Sequence, residues 1–170
     1  MDAEAKVLVG VDGSESSIQA LRLGAQLAPA LNATIVAIGC WDFPEIYAGY
    51  VPPDFARFEA AAAKTLADAL EKAFGEETPE RLTSQLVRGP AAAKLVEAAA
   101  GASLLVVGRR GHGGFLGMHL GSVSSACVAH ADCPVLVLHA EGSHRSHHLW
   151  KGSRAKGETP EKAGIPPLKP

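Results

Sequence analysis

A run of glycines in the C-terminal half is the feature that most constrains this chain. Six of the fourteen residues from Gly108 to Gly121 are glycine, out of 18 in the whole chain of 170. The run follows the apolar stretch Leu104–Val107 and precedes a helix-like segment that opens with Ser122. Glycine at this density marks a backbone that turns with positive φ or approaches another group closely. Loop amides and a helix N-terminus together attract phosphate, so the pattern predicts a nucleotide site.

Five short apolar segments alternate along the chain with four segments of helical periodicity. Strict alternation of this kind predicts an α/β fold: a single Rossmann-like open sheet of parallel strands, with helices on both faces. Ligands in such sheets bind beyond the carboxyl ends of the strands, where the strand order reverses. Ser14 is the predicted N-cap of the first helix, and proline is predicted at the first position of the third. The predicted strands are Ala5–Val11, Thr34–Trp41, Arg81–Arg88, Ser103–Val107 and Cys133–His139. The third of these is the most polar, so we expect it near an edge of the sheet.

Composition limits the classes of partner and the compartment. A net charge of −2 and a pI near 6.4 argue against a surface built for nucleic acid or an anionic membrane. No uncharged apolar run approaches the roughly 18 residues needed to span a bilayer. The acidic stretch Met1–Lys6 does not resemble a secretory signal. Cys40, Cys127 and Cys133 are interpreted as free thiols of a reducing compartment, so we expect a cytoplasmic protein.

The pattern divides the chain into one domain and a tail. Residues 1–139 carry all the predicted strands and helices, whereas residues 140–170 have few apolar side chains and six basic against three acidic residues. We expect this tail to be disordered, with contact to nucleic acid or a protein partner as the alternative. His144, His147 and His148 lie in it, and they are interpreted as solvated in preference to metal-binding. A non-periodic loop is predicted from Asp42 to Pro53.

Two familiar phosphate-binding motifs are absent from the sequence. No G-x-x-x-x-G-K-[ST] motif is present, so no P-loop lysine is available for a β- or γ-phosphate. The first strand ends in Asp12-Gly13-Ser14 and does not lead into the G-x-G-x-x-G of a dinucleotide-binding fold.

The spacing that is present is more specific. Gly108-x-x-Gly111 is followed by nine residues and then by Gly121-Ser122. Together with Asp12 after the first strand and Cys133-Pro-Val-Leu-Val near the last, this G-2x-G-9x-G-[ST] pattern resembles the ATP-binding subgroup of the universal stress protein family. The resemblance covers residues 5 to 139. It implies strand order 3-2-1-4-5, a homodimer formed through the last strand, and ATP, with or without Mg²⁺, as ligand.

The resemblance also implies a role for each matching position. Asp12 and the backbone of Val11 would meet the ribose and adenine, and Cys40 would line the adenine slot. The loop would approach the ribose and phosphates, and the following helix start would hold the β- and γ-phosphates. The implied nucleotide-binding residues are Val11, Asp12, Cys40, Gly108, Arg110, Gly111, Gly121, Ser122, Val123 and Ser124. Arg109 and Arg110 both suit phosphate, and the sequence does not decide which of the two faces the site.

Simpler interpretations remain for several of these residues. Asp12 alone is typical of a capping turn, Cys40 of a core, and Phe115 and Leu116 are as consistent with packing under the loop as with covering a ligand. Three functions follow: an ATP-binding stress or regulatory module, a slow ATPase, and a dimerisation module that needs no nucleotide. The loop has no lysine, no acidic pair placed for Mg²⁺ and no obvious base. Phosphoryl transfer needs such groups, so we expect binding and, at most, weak hydrolysis.

Overall fold

The computed structural model describes residues 5–42, 55–109 and 120–139. Most of the predicted loop after the second strand, most of the glycine loop and the predicted tail lie outside these ranges. The elements are β1 (Lys6–Val11), α1 (Glu15–Leu27), β2 (Thr34–Trp41), α2 (Phe55–Phe74), β3 (Leu82–Arg88), α3 (Ala91–Ala98), β4 (Leu104–Gly108), α4 (Ser122–His130) and β5 (Val135–Leu138).

The five strands form one parallel sheet in the order β3-β2-β1-β4-β5. This is the order that the family resemblance implies, and it confirms the predicted fold class. β1 lies at the centre, where Val7 pairs with Ile35 of β2 on one side and with Leu104 of β4 on the other. The chain turns outward in opposite directions from β1, so the topological switch point lies between β1 and β4.

Each face of the sheet carries its own apolar cluster. Val7 and Val9 of β1 point to the face that α1 and α2 cover, while Leu8 points to the face covered by α3 and α4. Both of these valines are fully buried, and Leu8 is 3% exposed. Burial of each such side chain contributes about 1.5–3 kcal/mol. A strand buried on both faces needs a continuous apolar sequence, which is why β1 could be recognised so clearly.

Helix α1 is held at its N-terminus by a cap and near its middle by contacts with α2. Ser14 is its N-cap and its side chain accepts a hydrogen bond from the Ser17 amide, as predicted. Glu15 lies in the first turn, where a negative charge is favourable. Further along, the Arg22 guanidinium donates to the carbonyls of Lys72 and Ala73 at the end of α2. These bonds fix α1 and α2 side by side over the sheet.

Some element boundaries differ from the predictions. Pro90 is the N-cap of α3 and not its first helical residue, because its ψ of 123° is outside the helical range. β5 is four residues long, shorter than the predicted Cys133–His139. β3 is an edge strand, as predicted, and so is β5. Among the residues described, none of the helices combines the length and apolarity required to cross a bilayer.

Candidate functional site

The candidate site lies at the carboxyl ends of β1 and β4. Val11 and Gly108 are the last residues of these strands, and Asp12 and Arg109 follow them. β1 and β4 are neighbours on either side of the switch point. Parallel strands that leave their sheet in opposite directions open a crevice at this edge, so the structure brings these predicted positions to one place.

The turn after β1 holds the Asp12 carboxylate in a defined position. Asp12 Oδ1 accepts from the amide of Ser14 at 3.0 Å and from its hydroxyl at 2.6 Å. Gly13 supplies the positive φ of 80° that the turn requires. A Cβ at Gly13 would lie 2.6 Å from Cγ2 of Thr65, so α2 packs directly against the turn. The Asp12 side chain is exposed to solvent, and a carboxylate keeps further acceptor sites for ligand hydroxyls.

Gly108 allows β4 and the start of α1 to meet closely. A Cβ at this position would overlap the Ser16 hydroxyl and come within 3.0 Å of Ser16 Cβ and 3.1 Å of its backbone carbonyl carbon. Ser16 is 4% exposed. The first glycine of the motif is therefore required by packing inside the protein, whether or not a ligand also approaches it.

Helix α4 directs its first turn at the same edge. Its N-cap is Gly121, in the extended conformation with φ −72° and ψ 163°, and no side chain caps the helix there. The Ser125 amide makes the first bond of the helical pattern, to the Gly121 carbonyl at 2.9 Å. The amides of Ser122, Val123 and Ser124 precede that bond and have no acceptor within the helix. Together with the helix dipole they favour an anion.

The two ends of the glycine loop are joined at the backbone carbonyl of Arg109. This oxygen accepts from the Gly121 amide at 2.9 Å and from the Ser124 hydroxyl at 2.9 Å. Ser124 is 2% exposed, and its hydroxyl is also 3.1 Å from the Gly121 carbonyl. The hydroxyl proton of Ser124 is thus directed to the protein's own backbone, which leaves the Ser124 amide as its donor towards a ligand.

Arg109 also contacts the edge strand β5. Its amide donates to the Leu138 carbonyl at 2.6 Å, and its Nη1 lies 3.2 Å from Nδ1 of His139. The Arg109 side chain therefore reaches towards the end of β5. Arg110 and Gly111, both implied as nucleotide-binding residues, lie outside the described residues, as do Phe115 and Leu116.

Cys40 extends the candidate site by one strand. Val11 pairs with Gly39, so Cys40 comes one position later along the same edge. The half-buried Cys40 packs against the cluster beneath α3 and α4, which contains Cys127. Burial raises the pKa of the Cys40 thiol, nearby Cys127 raises it further, and the Lys94 ammonium opposes this rise. Cys40 is consequently a largely neutral, apolar group, suited to contact an aromatic ring.

Two packing contacts at this site were not predicted from the sequence. Ser16 packs against Gly108, and Thr65 packs against Gly13. Each brings together residues that are far apart in the chain. The clustering of Ser14, Ser16 and Ser17 at a helix start was the only local signal for the first. Within the described ranges, no group of three or more His, Cys, Asp and Glu side chains is arranged to hold a metal ion.

Comparison with known proteins identifies relatives of the whole described domain. A family model described as the universal stress protein family matches residues 5–139. A universal stress protein of Mycobacterium bovis is 36% identical over 140 residues, covering 78% of this chain and 43% of the relative. This chain therefore spans less than half the length of that relative.

Solved structures show the same fold. The universal stress protein UspA from Lactobacillus plantarum superposes with a TM-score of 0.63 at 21% identity, covering 81% of this chain and 99% of that one. A universal stress protein in complex with cAMP gives a TM-score of 0.53 at 28% identity, covering 82% of this chain and 99% of the other. The family model, the relatives and the strand order agree, and this chain belongs to the universal stress protein family.

Proposed function

We propose that this chain binds ATP at the carboxyl edge of β1 and β4, and acts in the cytoplasm as a nucleotide-dependent stress or regulatory module. The observation that carries the proposal is the convergence of three features at the switch point. These are the exposed carboxylate of Asp12, the close packing at Gly108 and the first turn of α4. A carboxylate suits sugar hydroxyls, and free helix amides suit phosphate.

Each part of the nucleotide has a matching part of the site. The adenine would lie near the Val11 backbone and Cys40, and the ribose hydroxyls near Asp12. The loop residues Gly108, Arg110 and Gly111 would follow the ribose and the first phosphate. The β- and γ-phosphates, with or without Mg²⁺, would accept from the amides at the start of α4. The donors assigned to this last contact are the amides of Ser122, Val123 and Ser124, and Gly121, whose own amide donates to the Arg109 carbonyl, lets the phosphates approach them.

The relative that was solved in complex with cAMP supports the adenine class of ligand. It is 28% identical to this chain and is covered over 99% of its length. The cAMP ligand shares adenine and ribose with ATP. The relative therefore supports the assignment of adenine and ribose to the end of the site formed by Asp12 and Cys40. The preference for a triphosphate in this chain rests on the start of α4 and on the G-2x-G-9x-G-[ST] spacing.

We also propose that two copies of this chain pair through β5. This strand is an edge of the sheet, and its four residues are all apolar and only partly buried. The carbonyls of Pro134 and Leu138 accept from β4, so the alternate residues Val135 and Val137 direct their backbone groups away from the sheet. Among the described residues no strand lies beyond this apolar edge, and outward-facing backbone groups on an edge strand are a template for another strand.

Analysis of co-purified nucleotide tests the proposed ligand. The full chain is purified without added nucleotide and denatured, and the supernatant is separated by chromatography. Release of ATP by the wild-type protein, and of much less by Gly121→Val, supports the proposal. ADP that accumulates with incubation would favour the slow ATPase instead. No released nucleotide, together with no rise in melting temperature on adding ATP, would favour the dimerisation module, because a ligand of the folded state must stabilise it.

A further inference from the structure

We propose that Ser14 is a positioning residue for Asp12, and that this contact makes the site select nucleotides whose ribose carries free 2′ and 3′ hydroxyl groups. The inference rests on the proposed function and adds both a residue and the sugar on which binding depends. Ser14 is not among the residues that the family resemblance implies for nucleotide binding. Its side chain is the N-cap of α1 and also contacts the Asp12 carboxylate.

The two oxygens of the Asp12 carboxylate have different surroundings. Oδ1 accepts from the Ser14 amide at 3.0 Å and from the Ser14 hydroxyl at 2.6 Å. An ionised carboxylate has about four lone-pair sites shared between its two oxygens, so the two bonds from Ser14 occupy Oδ1. Within residues 5–42, 55–109 and 120–139, no group donates to Oδ2, and the side chain is exposed. Oδ2 is therefore the oxygen that a ligand hydroxyl can reach.

The Ser14 hydroxyl holds Asp12 because its proton has a preferred acceptor. Its Oγ lies 2.6 Å from Asp12 Oδ1 and 3.2 Å from the Ser16 hydroxyl. A hydrogen bond to a carboxylate is shorter and about twice as strong as one between neutral groups, so the proton is donated to Asp12. The oxygen of the same hydroxyl accepts from the Ser17 amide at 3.3 Å, which caps α1. The start of α1 thereby fixes the orientation of the carboxylate.

This arrangement prepares the carboxylate for a sugar before any ligand binds. An exposed aspartate without hydrogen-bond partners samples several rotamers, and part of the binding energy is then lost in immobilising it. In this chain the amide and hydroxyl of Ser14 already fix Oδ1, so Oδ2 is held in one position. Its lone pairs can accept from the adjacent 2′ and 3′ hydroxyls of one ribose. A sugar without these hydroxyls leaves the charged oxygen without a donor.

Dissociation constants of ATP and 2′,3′-dideoxy-ATP, measured by calorimetry on the full chain, test this inference. The dideoxy nucleotide lacks both hydroxyls and keeps the base and the phosphates. We expect the wild type to bind ATP about 10- to 100-fold more tightly, since hydrogen bonds to a charged group are the stronger class. Ser14→Ala keeps the backbone amide and loses the hydroxyl, and should reduce this ratio about three- to tenfold. The affinity of this variant for the dideoxy nucleotide should change less than about twofold.

Two further variants separate the positioning of Asp12 from the capping of α1. Ser14→Thr retains a hydroxyl at the N-cap and should restore most of the ratio. Ser17→Ala removes a buried hydroxyl that donates to the Ser14 carbonyl at 2.8 Å, so it weakens the start of α1 without removing either bond to Asp12. The ratio in this variant should equal that of the wild type. A purely structural role of Ser14 would lower the affinities for both nucleotides together.

The outcomes separate this inference from the proposed function. Equal weakening of both nucleotides by Ser14→Ala, or no weakening of either, overturns the positioning role while leaving ATP binding intact. A wild-type chain that binds both nucleotides equally well overturns the selection for ribose hydroxyls in the same way. If the wild type binds neither nucleotide, the proposed function fails and the inference fails with it.

If Ser14→Ala does not fold, amide hydrogen exchange of the wild-type protein decides. The Ser14 amide donates to the same carboxylate that the ribose would contact. At saturation, ATP should slow exchange of this amide more than the dideoxy nucleotide does. Equal slowing by the two nucleotides overturns the inference.

Discussion

Gly108 and Ser16 are packed so closely that no side chain fits at position 108. A Cβ there would overlap the Ser16 hydroxyl and lie 3.1 Å from the backbone carbonyl carbon of Ser16. The contact joins the end of β4 to the first turn of α1, across the switch point of the sheet. The shape of the crevice depends on this contact before any ligand binds.

Gly108→Ala should therefore destabilise the fold. We expect a loss of about 1–3 kcal/mol, since neither the Ser16 backbone nor the end of β4 can move without disturbing the sheet. For a chain of this size each kcal/mol lowers the melting temperature by about 2–4 °C, which calorimetry measures directly.

Ser16→Gly provides the matched partner for a double-mutant cycle. It removes the two side-chain atoms that the new methyl group would meet, at a cost of its own of about 0.5–1 kcal/mol for glycine in a helix. The double variant should be more stable than the sum of the single effects predicts. Strict additivity would contradict the packing explanation.

Gly121→Val should remove ATP binding and preserve the fold. Gly121 has φ −72° and ψ 163°, a conformation that any residue adopts, so the substitution adds no backbone strain. Its side chain would stand beside the amides at the start of α4 and exclude a phosphate from them. Equilibrium binding and circular dichroism test the two halves of this prediction. An unchanged dissociation constant would show that the phosphates bind elsewhere.

Asp12→Asn should separate the structural role of this side chain, which is to accept hydrogen bonds from Ser14, from its proposed role in binding ATP. The amide oxygen can still accept from the Ser14 amide and hydroxyl, so we expect thermal stability close to that of the wild type. The negative charge and one acceptor are lost, and hydrogen bonds to a charged group are worth about 1.5–3 kcal/mol, so ATP binding should weaken about 10- to 100-fold. Loss of stability with unchanged affinity would instead make Asp12 a capping residue only.

Most of the fold could be predicted because its strongest signals are local. The β1, β2 and β4 strands are buried on both faces and therefore have nearly continuous apolar sequences, and the Ser14 side chain marks the start of a helix. The strand order needed more than this, since no periodicity states which strands are neighbours. The order 3-2-1-4-5 was predicted from the resemblance to the universal stress protein family, which the glycine spacing indicated.

The contacts that shape the site could not be predicted, because they depend on tertiary packing. Nothing near Gly108 in the sequence indicates Ser16, and nothing near Gly13 indicates Thr65. The sequence does not indicate which of the two adjacent arginines contacts another element. The contact of Arg109 with His139 depends on β5 lying next to β4 in the sheet. The roles of Arg110 and Gly111 remain predictions, because both residues lie outside the described ranges.

Val137→Pro should prevent pairing through β5 without unfolding the chain. The Pro134 and Leu138 carbonyls face β4, so the amide of Val137 faces outward and proline there removes no bond to β4. We expect analytical ultracentrifugation to show a dimer for the wild type and a monomer for this variant. Val137→Ala retains the amide and is the matched control. A Val137→Pro variant that remains dimeric would exclude the β5 edge as the interface.

The three cysteine thiols should be alkylated slowly. Only the rate at Cys40 should depend on the charge of Lys94. Burial raises the pKa values of Cys40, Cys127 and Cys133 above the ordinary 9.0, so each carries less thiolate at a given pH than in the unfolded chain. Alkylation by iodoacetamide at pH 8, followed by mass spectrometry, should be slower for each than in urea. Cys127, which is fully buried, should be the slowest.

Lys94→Met tests the electrostatic part of this prediction. The Lys94 ammonium lowers the pKa of Cys40, so its removal should raise that pKa and slow alkylation of Cys40 by about twofold, the size expected of one charge at a partly exposed site. Methionine keeps an unbranched apolar side chain where the aliphatic part of the lysine lies, next to the space a Cβ at position 89 would occupy. Cys133 is the internal control and should be unaffected, because burial and Asp132 raise its pKa, backbone hydrogen bonds of Leu105 and of Cys133 itself lower it, and Lys94 takes no part. Faster alkylation of Cys40 in this variant would show that access, and not charge, governs the reaction.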